Sequence, residues 1–157
     1  MMTQAKIFRS QNEQMIGLSY ACDEITIVLN EIKQADYKKK FSPAHNFAIR
    51  AGDDTVGEIR FRIGQNKHLC NYAGQIGYDI DRRYRCNRYA TKALKAILPH
   101  CFQYFPSLFI TCNVDNIPSI KTIESVVHVY HGIVTIPKNT LMYREGNRKK
   151  RVYELLN

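Results

Sequence analysis

No stretch of the 157 residues is apolar for long enough to cross a bilayer. The first fifteen residues, MMTQAKIFRSQNEQM, lack the apolar segment of a secretory leader. A helical membrane protein is therefore not expected, no membrane partner is expected, and the cytoplasm is the expected compartment. There is no C-x-x-C spacing. The five cysteines (Cys22, Cys70, Cys86, Cys101, Cys112) are odd in number and scattered. That pattern argues against a disulfide framework or a zinc site and for a reducing environment, so no metal is expected. No repeat, low-complexity tract or linker divides the chain, and one domain over 1–157 is expected. Acids are scarce, 14 Asp and Glu against 23 Lys and Arg, for a net charge of +9. Such an excess fits a polyanionic partner (nucleic acid, a membrane surface or a phosphorylated cofactor) or simply a solvated basic surface.

What is present is an ordinary globular pattern, 45% hydrophobic. Ala5–Arg9 reads as a short first strand. Asp23–Gln34 carries Ile25, Ile27, Val28, Leu29 and Ile32 behind a potential Asp23 N-cap and reads as a helix, although its β-branched content argues partly for a strand. Tyr37–Phe41 is a charge run of the solvated kind. His45–Arg50 alternates as a strand, Ala51–Thr55 is a turn cluster, and Val56–Ile63 alternates again. In that last stretch Ile59, Phe61 and Ile63 share one face and Glu58, Arg60 and Arg62 the other, as in an antiparallel hairpin with one wet face. Gly64–Tyr72 is loop-like and Gln75–Ile80 is a strand. Ala90, Ala93, Leu94, Ile97, Leu98 and Cys101 recur at helical spacing, with Pro99 placed to kink or end that helix. Ser107–Cys112 is apolar on both faces and reads as a buried central strand. A short helix begins at Pro118, and Val126–Ile136 is a strand interrupted at Gly132. Leu141–Arg144 and Val152–Leu155 read as a terminal hairpin around Glu145-Gly146-Asn147. The order predicts an α+β or α/β arrangement with a mixed sheet.

One stretch organises the rest. Between the strand ending at Ile80 and the helix starting near Ala90 lie Arg82, Arg83, Arg85 and Arg88, with no acid after Asp81. A helix start offers unpaired N–H groups and the positive end of a dipole, and arginines there suit a phosphate or pyrophosphate. The run R-C-N-R-Y-A, Arg85 to Ala90, resembles the Q/R-x-x-G-x-G/A signature of the GNAT N-acetyltransferase superfamily. Three further pieces follow the superfamily pattern in order. Gly57 with Ile59 and Arg62 is similar to its third strand, and Gly77-Tyr78-Asp79-Ile80 to its fourth. Thr111–Ser119 with Ile123-Glu124 is similar to its fifth strand and fourth helix. The similarity covers about Gly57 to Glu124, with Arg151-Val152-Tyr153 like its closing strand.

The resemblance implies the GNAT fold: a mixed six- to seven-stranded sheet with helices on both faces and a fourth strand splayed from the fifth. It implies acetyl-CoA as acyl donor, direct transfer to an amine in a ternary complex, and an oxyanion held by a backbone N–H. Pantetheine would pair with the backbone near Tyr78 and Ile80. Arg85, Cys86, Asn87, Arg88, Tyr89, Ala90 and Thr91 would wrap the pyrophosphate, and Asn116 and Ser119 would line the slot from the other side. Glu58 and Asp79 are the acids nearest the slot and the candidates for a base; Glu58 could equally be a cross-strand partner for an arginine. His128, His131 and Glu124 are weaker candidates, and Cys86 lacks a neighbouring base.

The chain departs from the superfamily pattern at Arg88, at Ile123, and within Val127-His128, where a glycine often follows the helix. Arg88 replaces a glycine, and either turns outward toward a phosphate or obstructs the cofactor. Ile123 stands where many members carry the tyrosine that protonates the leaving thiolate. They motivate a first alternative, a GNAT-fold CoA- or nucleotide-binding module with little turnover. A basic nucleic-acid-binding protein is the second, weakened because no stacking-aromatic module is visible. The acceptor amine is not specified, and a homodimer remains open.

Overall fold

The computed structural model describes residues 11–157, so the expected strand Ala5–Arg9 lies outside the described residues. Among the described residues, eight strands form two antiparallel sheets. The larger has the order β1 (Ser19–Cys22), β2 (Ile25–Lys33), β3 (Ala44–Ala51), β4 (Asp54–Arg62), β5 (Ile76–Ile80). The smaller places β8 (Lys149–Leu156) between β6 (Ser107–Asn113) and β7 (His128–Thr135). Helix α1 (Tyr89–Cys101) joins β5 to β6, α2 (Ile117–Glu124) joins β6 to β7, and a single helical turn α3 (Leu141–Arg144) precedes β8. The class is the expected α+β, but in place of one mixed sheet of six or seven strands the ladders make two antiparallel sheets, because β5 and β6 part instead of pairing.

Five sequence expectations change. Ile25–Lys33 is a strand, not a helix. Ile25, Ile27 and Leu29 are fully buried while Thr26 and Val28 are half-exposed, a period of two that a helix would scatter. Asp23 is no N-cap: it has φ 51° in the tight turn between β1 and β2, a conformation Asp tolerates better than most residues. Leu141–Arg144 is helical, so no terminal hairpin forms; β8 instead pairs with β6 and β7. The expected loop Gly64–Tyr72 runs into a π-helical turn, Leu69–Ala73. Finally, β6 is not a central strand. Only Leu108, Ile110 and Cys112 are buried, and its ladder is with β8 alone. Gly132 does mark a bulge, where the β7–β8 register shifts between Tyr130 and Gly132.

The core lies between α1 and the inner face of the larger sheet, and continues onto β6 and β8. Ala93, Leu94, Ile97 and Cys101 of α1 meet Ile25, Ile27, Leu29, Phe47, Ile49, Ile59 and Phe61. Helix α1 continues past Pro99 for two residues, and the Phe102 N–H donates to Leu98 O at 2.9 Å. A polar thread crosses this core. His100 Nε2 and His45 Nδ1 are 2.9 Å apart, and the Tyr20 hydroxyl lies 3.0 Å from His100 Nδ1. Burial, then the neighbouring His45, pushes the His100 pKa down to about 4. The Phe47, Phe61 and Tyr104 rings surround the pair.

The relation between β5 and β6 positions the site. They meet at one end, where buried Gln75 acts as a bolt. Its N–H donates to Phe109 O at 2.7 Å, and the Phe109 N–H donates to its Oε1 at 2.7 Å. Beyond this point neither ladder joins them, and the two sheets part. Gly74 packs into the junction with φ 77°; a Cβ there would lie 3.0 Å from Thr111 N.

Candidate functional site: a cleft between β5 and the starts of two helices

A cleft of about 930 Å³ opens where the strands part. Its walls are β5, the loop from Tyr84 to Arg88, the first turns of α1, and α2. Asp81 N–H donates to Val56 O at 2.9 Å, toward β4. Alternation along the strand then turns the N–H groups of Tyr78 and Ile80 away from β4, into the gap. Close β4–β5 pairing needs Gly57, because a Cβ there would stand 2.2 Å from Asp79 O.

The loop is built as a cradle. Cys86 and Arg88 both have left-handed backbone, φ 68° and 60°. Arg88 is the N-cap of α1 and makes no side-chain cap. Among the described residues, the backbone N–H groups of Cys86, Asn87 and Arg88 meet no acceptor, and the first-turn N–H groups of α1 add to them. Such a concave run of N–H groups is an anion nest. Asn87 shapes it from behind, its Nδ2 donating to Tyr84 O at 3.0 Å and Arg85 O at 3.3 Å. Arg85 Nε donates to Ile80 O at 2.9 Å, and its guanidinium pairs with Asp79 at 3.6 Å. Arg88 therefore adopts the conformation a glycine would favour, and its side chain is exposed rather than packed into the loop.

Across the cleft, Asn116 caps α2 by accepting from Ser119 N–H at 3.2 Å. The Tyr78 hydroxyl is buried without a hydrogen-bond partner. Ser119, Cys112 and Thr122 lie around it, and burial first of all raises its pKa. Thr91 Oγ1 on α1 and Thr122 Oγ1 on α2 are 3.4 Å apart.

Of the residues singled out in the sequence, Tyr78, Ile80, Arg85, Cys86, Arg88, Tyr89, Ala90, Thr91, Asn116 and Ser119 line this cleft, and so does Asp79. Asn87 supports the loop without lining it. Glu58 lies outside the cleft, on the outer sheet face, in an ion pair with Arg60. Ile123 is wholly buried and does not line the cleft. Sequence reasoning missed Lys95, Lys121, Thr122 and Ser125, which also line it. Spacing held the clue: Lys95 is one turn after Thr91, and Thr122 three residues after Ser119. His128 and His131 are absent from its walls; His131 instead pairs with Glu154 at 2.8 Å. Glu124 is bound to Arg151 and to the Tyr153 hydroxyl, a structural pairing of α2 with β8.

Known proteins share this architecture. The structure of the microcin self-immunity acetyltransferase MccE, in complex with acetyl-CoA and AMP, aligns with a TM-score of 0.58 at 16% identity, covering 73% of this chain and 61% of that one. A GNAT-family acetyltransferase from Bacillus anthracis aligns at 0.55 with 23% identity, over 71% and 65% of the two chains. RimJ from Mycobacterium smegmatis, in complex with CoA-disulfide, aligns at 0.57 with 20% identity, over 78% and 56%. The chain thus spans less than two thirds of the length of each. No curated protein matches the sequence. The acetyltransferase (GNAT) domain family matches residues 4–126, well over half of the chain. With the splayed strands and the cradle at the start of α1, that match makes the chain a member of the GNAT acetyltransferase family.

Proposed function

We propose that the protein transfers the acetyl group of acetyl-CoA to an amine. The observation that carries this reading is the set of unpaired N–H groups from Cys86 into the first turn of α1, flanked by Arg85, Arg88, Lys95 and Lys121. A diphosphate satisfies those donors at a dipole end that favours negative charge. The unpartnered Tyr78 hydroxyl is a second fit, since a buried polar atom without a partner is costly unless a ligand supplies one.

Each part of the chain has a role in this account. The loop and the lysines hold the phosphates. The open N–H edge of β5 at Tyr78 and Ile80 orients the pantetheine arm and leaves one donor for a developing oxyanion. Asp79, beside the gap, receives the amine's proton directly or through water. The Tyr78 hydroxyl, held neutral by burial, supplies a proton at the sulfur side, a role Ile123 cannot fill. When bound, acetyl-CoA supplies the activated acyl group; the chain supplies position and electrostatics.

The test is release of free thiol from acetyl-CoA over a panel of amines, together with titration calorimetry of acetyl-CoA. Amine-dependent thiol release supports the reading. Tight binding with no release on any amine favours a binding module instead, which the exposed Arg88 and buried Ile123 keep in view.

A further inference from the structure

On the side of the strand gap away from α1 and α2 lies a second group of charges, of which only Asp79 also borders the cleft already described. Strand β4 sends Arg60 and Arg62 to this face, and β5 sends Gly77 and Asp79. The Arg62 guanidinium lies against Gly77: a Cβ built there would be 3.2 Å from its Nη1. The same Nη1 donates to Gly74 O at 3.2 Å. Gly74 touches Thr111 of β6. Two residues further along that face of β6 comes Asn113, and Lys150 of β8 stands directly opposite it. Asn113 Oδ1 is buried without a partner. Arg62 and Lys150 thus approach the mouth of the gap from its two sides.

The charge balance there is uneven. Glu58 is paired with Arg60, and Asp79 with Arg85. Among the described residues, Arg62 and Lys150 have no acidic partner. Residues 1–10, MMTQAKIFRS, contain no acid that might supply one. Both groups are partly buried. Burial lowers both pKa values, and each also feels a neighbouring arginine, Arg60 for Arg62 and Arg62 for Lys150. Partly buried cations near one another without a counter-ion favour an anion between them. Glu58 and Asp79 sit on the same face, at the far end of the β4–β5 ladder.

We propose that this face is the acceptor subsite, and that it takes a small amine carrying a carboxylate or phosphate, with the anionic group between Arg62 and Lys150 and the amine toward Asp79 and Asn113. The inference rests on the acetyl-transfer reading for the reaction but not for the anion site itself. The ammonium first gives one proton to solvent; the neutral nitrogen attacks the thioester carbonyl carbon, the C–S bond breaks, the nitrogen loses its second proton toward Asp79, and the sulfur gains one. Acetylation removes the amine's charge and leaves the anion. The product therefore keeps its hold on Arg62 and Lys150.

The test has two arms. In the first, thiol release is compared for 4-aminobutyrate against n-butylamine and for phosphoethanolamine against ethanolamine. The anionic member of each pair is expected to have a kcat/KM roughly tenfold or more above its neutral partner. That preference should collapse in R62Q and in K150Q, while their acetyl-CoA affinity stays at the wild-type value. In the second arm, N-acetyl-4-aminobutyrate and N-butylacetamide are titrated into the CoA-loaded protein. The anionic probe should bind roughly tenfold or more tightly, and lose that advantage in either variant and at high salt. Equal binding of the two probes overturns the subsite even when an amine is acetylated. Preferential binding of the anionic probe with no turnover on any amine leaves the subsite standing and overturns the transfer reading. A preference that survives both substitutions places the anion elsewhere and overturns the assignment.

Discussion

Glu58 and Asp79 stand directly opposite one another in the β4–β5 ladder, yet each carboxylate is held by a different arginine: Arg60 takes Glu58, and Arg85 reaches Asp79 at 3.6 Å. Two acids facing each other would otherwise repel. Their environments also separate their roles, because only Asp79 borders the cleft.

Asp79 is accordingly the base to test. D79N is expected to lower kcat by about 10²-fold or more, the usual contribution of a positioned base. E58Q should change it by less than about threefold, since Glu58 is one shell removed. Steady-state thiol release for both variants, with acetyl-CoA affinity measured alongside, checks the split. Equal losses in the two variants would contradict it.

Arg88 stores strain that its side chain can repay only through a ligand. A left-handed non-glycine residue costs about 1 kcal/mol. R88G is therefore expected to raise the melting temperature of the free protein and to weaken acetyl-CoA binding by roughly threefold to tenfold. R88A keeps the strain and loses the charge, so it should weaken binding without raising stability. Calorimetry and thermal melts of the two variants separate backbone from side chain.

Tyr78 should show the opposite exchange of stability for activity. Removing a buried hydroxyl that has no partner is neutral or stabilising, by up to about 1 kcal/mol. Y78F should thus melt at or above the wild-type temperature while losing turnover. A destabilised Y78F would show that the hydroxyl is bonded within the protein and not reserved for a ligand.

The buried His45–His100 pair makes stability depend on pH. With its pKa pushed down to about 4, His100 stays neutral in the folded state, whereas the unfolded chain protonates near 6.5. The unfolded state thus binds more protons between those values. Stability present above about pH 6.5 falls as the pH drops toward 4, by on the order of 3 kcal/mol. Urea denaturation across this window should show the slope, and H100L should flatten it even if its absolute stability is lower.

The cleft was legible in the sequence because its parts are local. The cradle is six consecutive residues, and the β5 edge is five residues before it. Asn116 and Ser119 fall within one short run, Thr111–Ser119, whose resemblance to the superfamily pattern placed them; that they form one cap shows only in the fold. What spacing could not show was the partner of each element. Ile25–Lys33 carries enough apolar residues to mimic a helix face, and only the ladders with β1 and β3 select the strand. Ser107–Cys112 looked central because Phe109 and Thr111 are apolar or neutral, but that face meets the π-helical turn instead of a helix, as Thr111 Oγ1 donating to Tyr72 O shows. The Arg62–Lys150 group was invisible for the same reason: it joins residues 88 positions apart through Gly74 and β6, a relation set by topology.

The most direct test of the central claim compares acetyl-CoA with acetyl-pantetheine, which lacks the pyrophosphate, by titration calorimetry. One-to-one binding of acetyl-CoA is expected, with a loss of roughly 100-fold or more for acetyl-pantetheine, because the cradle from Cys86 to α1 and its flanking cations then go unused. No binding of acetyl-CoA, or equal binding of the two compounds, would contradict it.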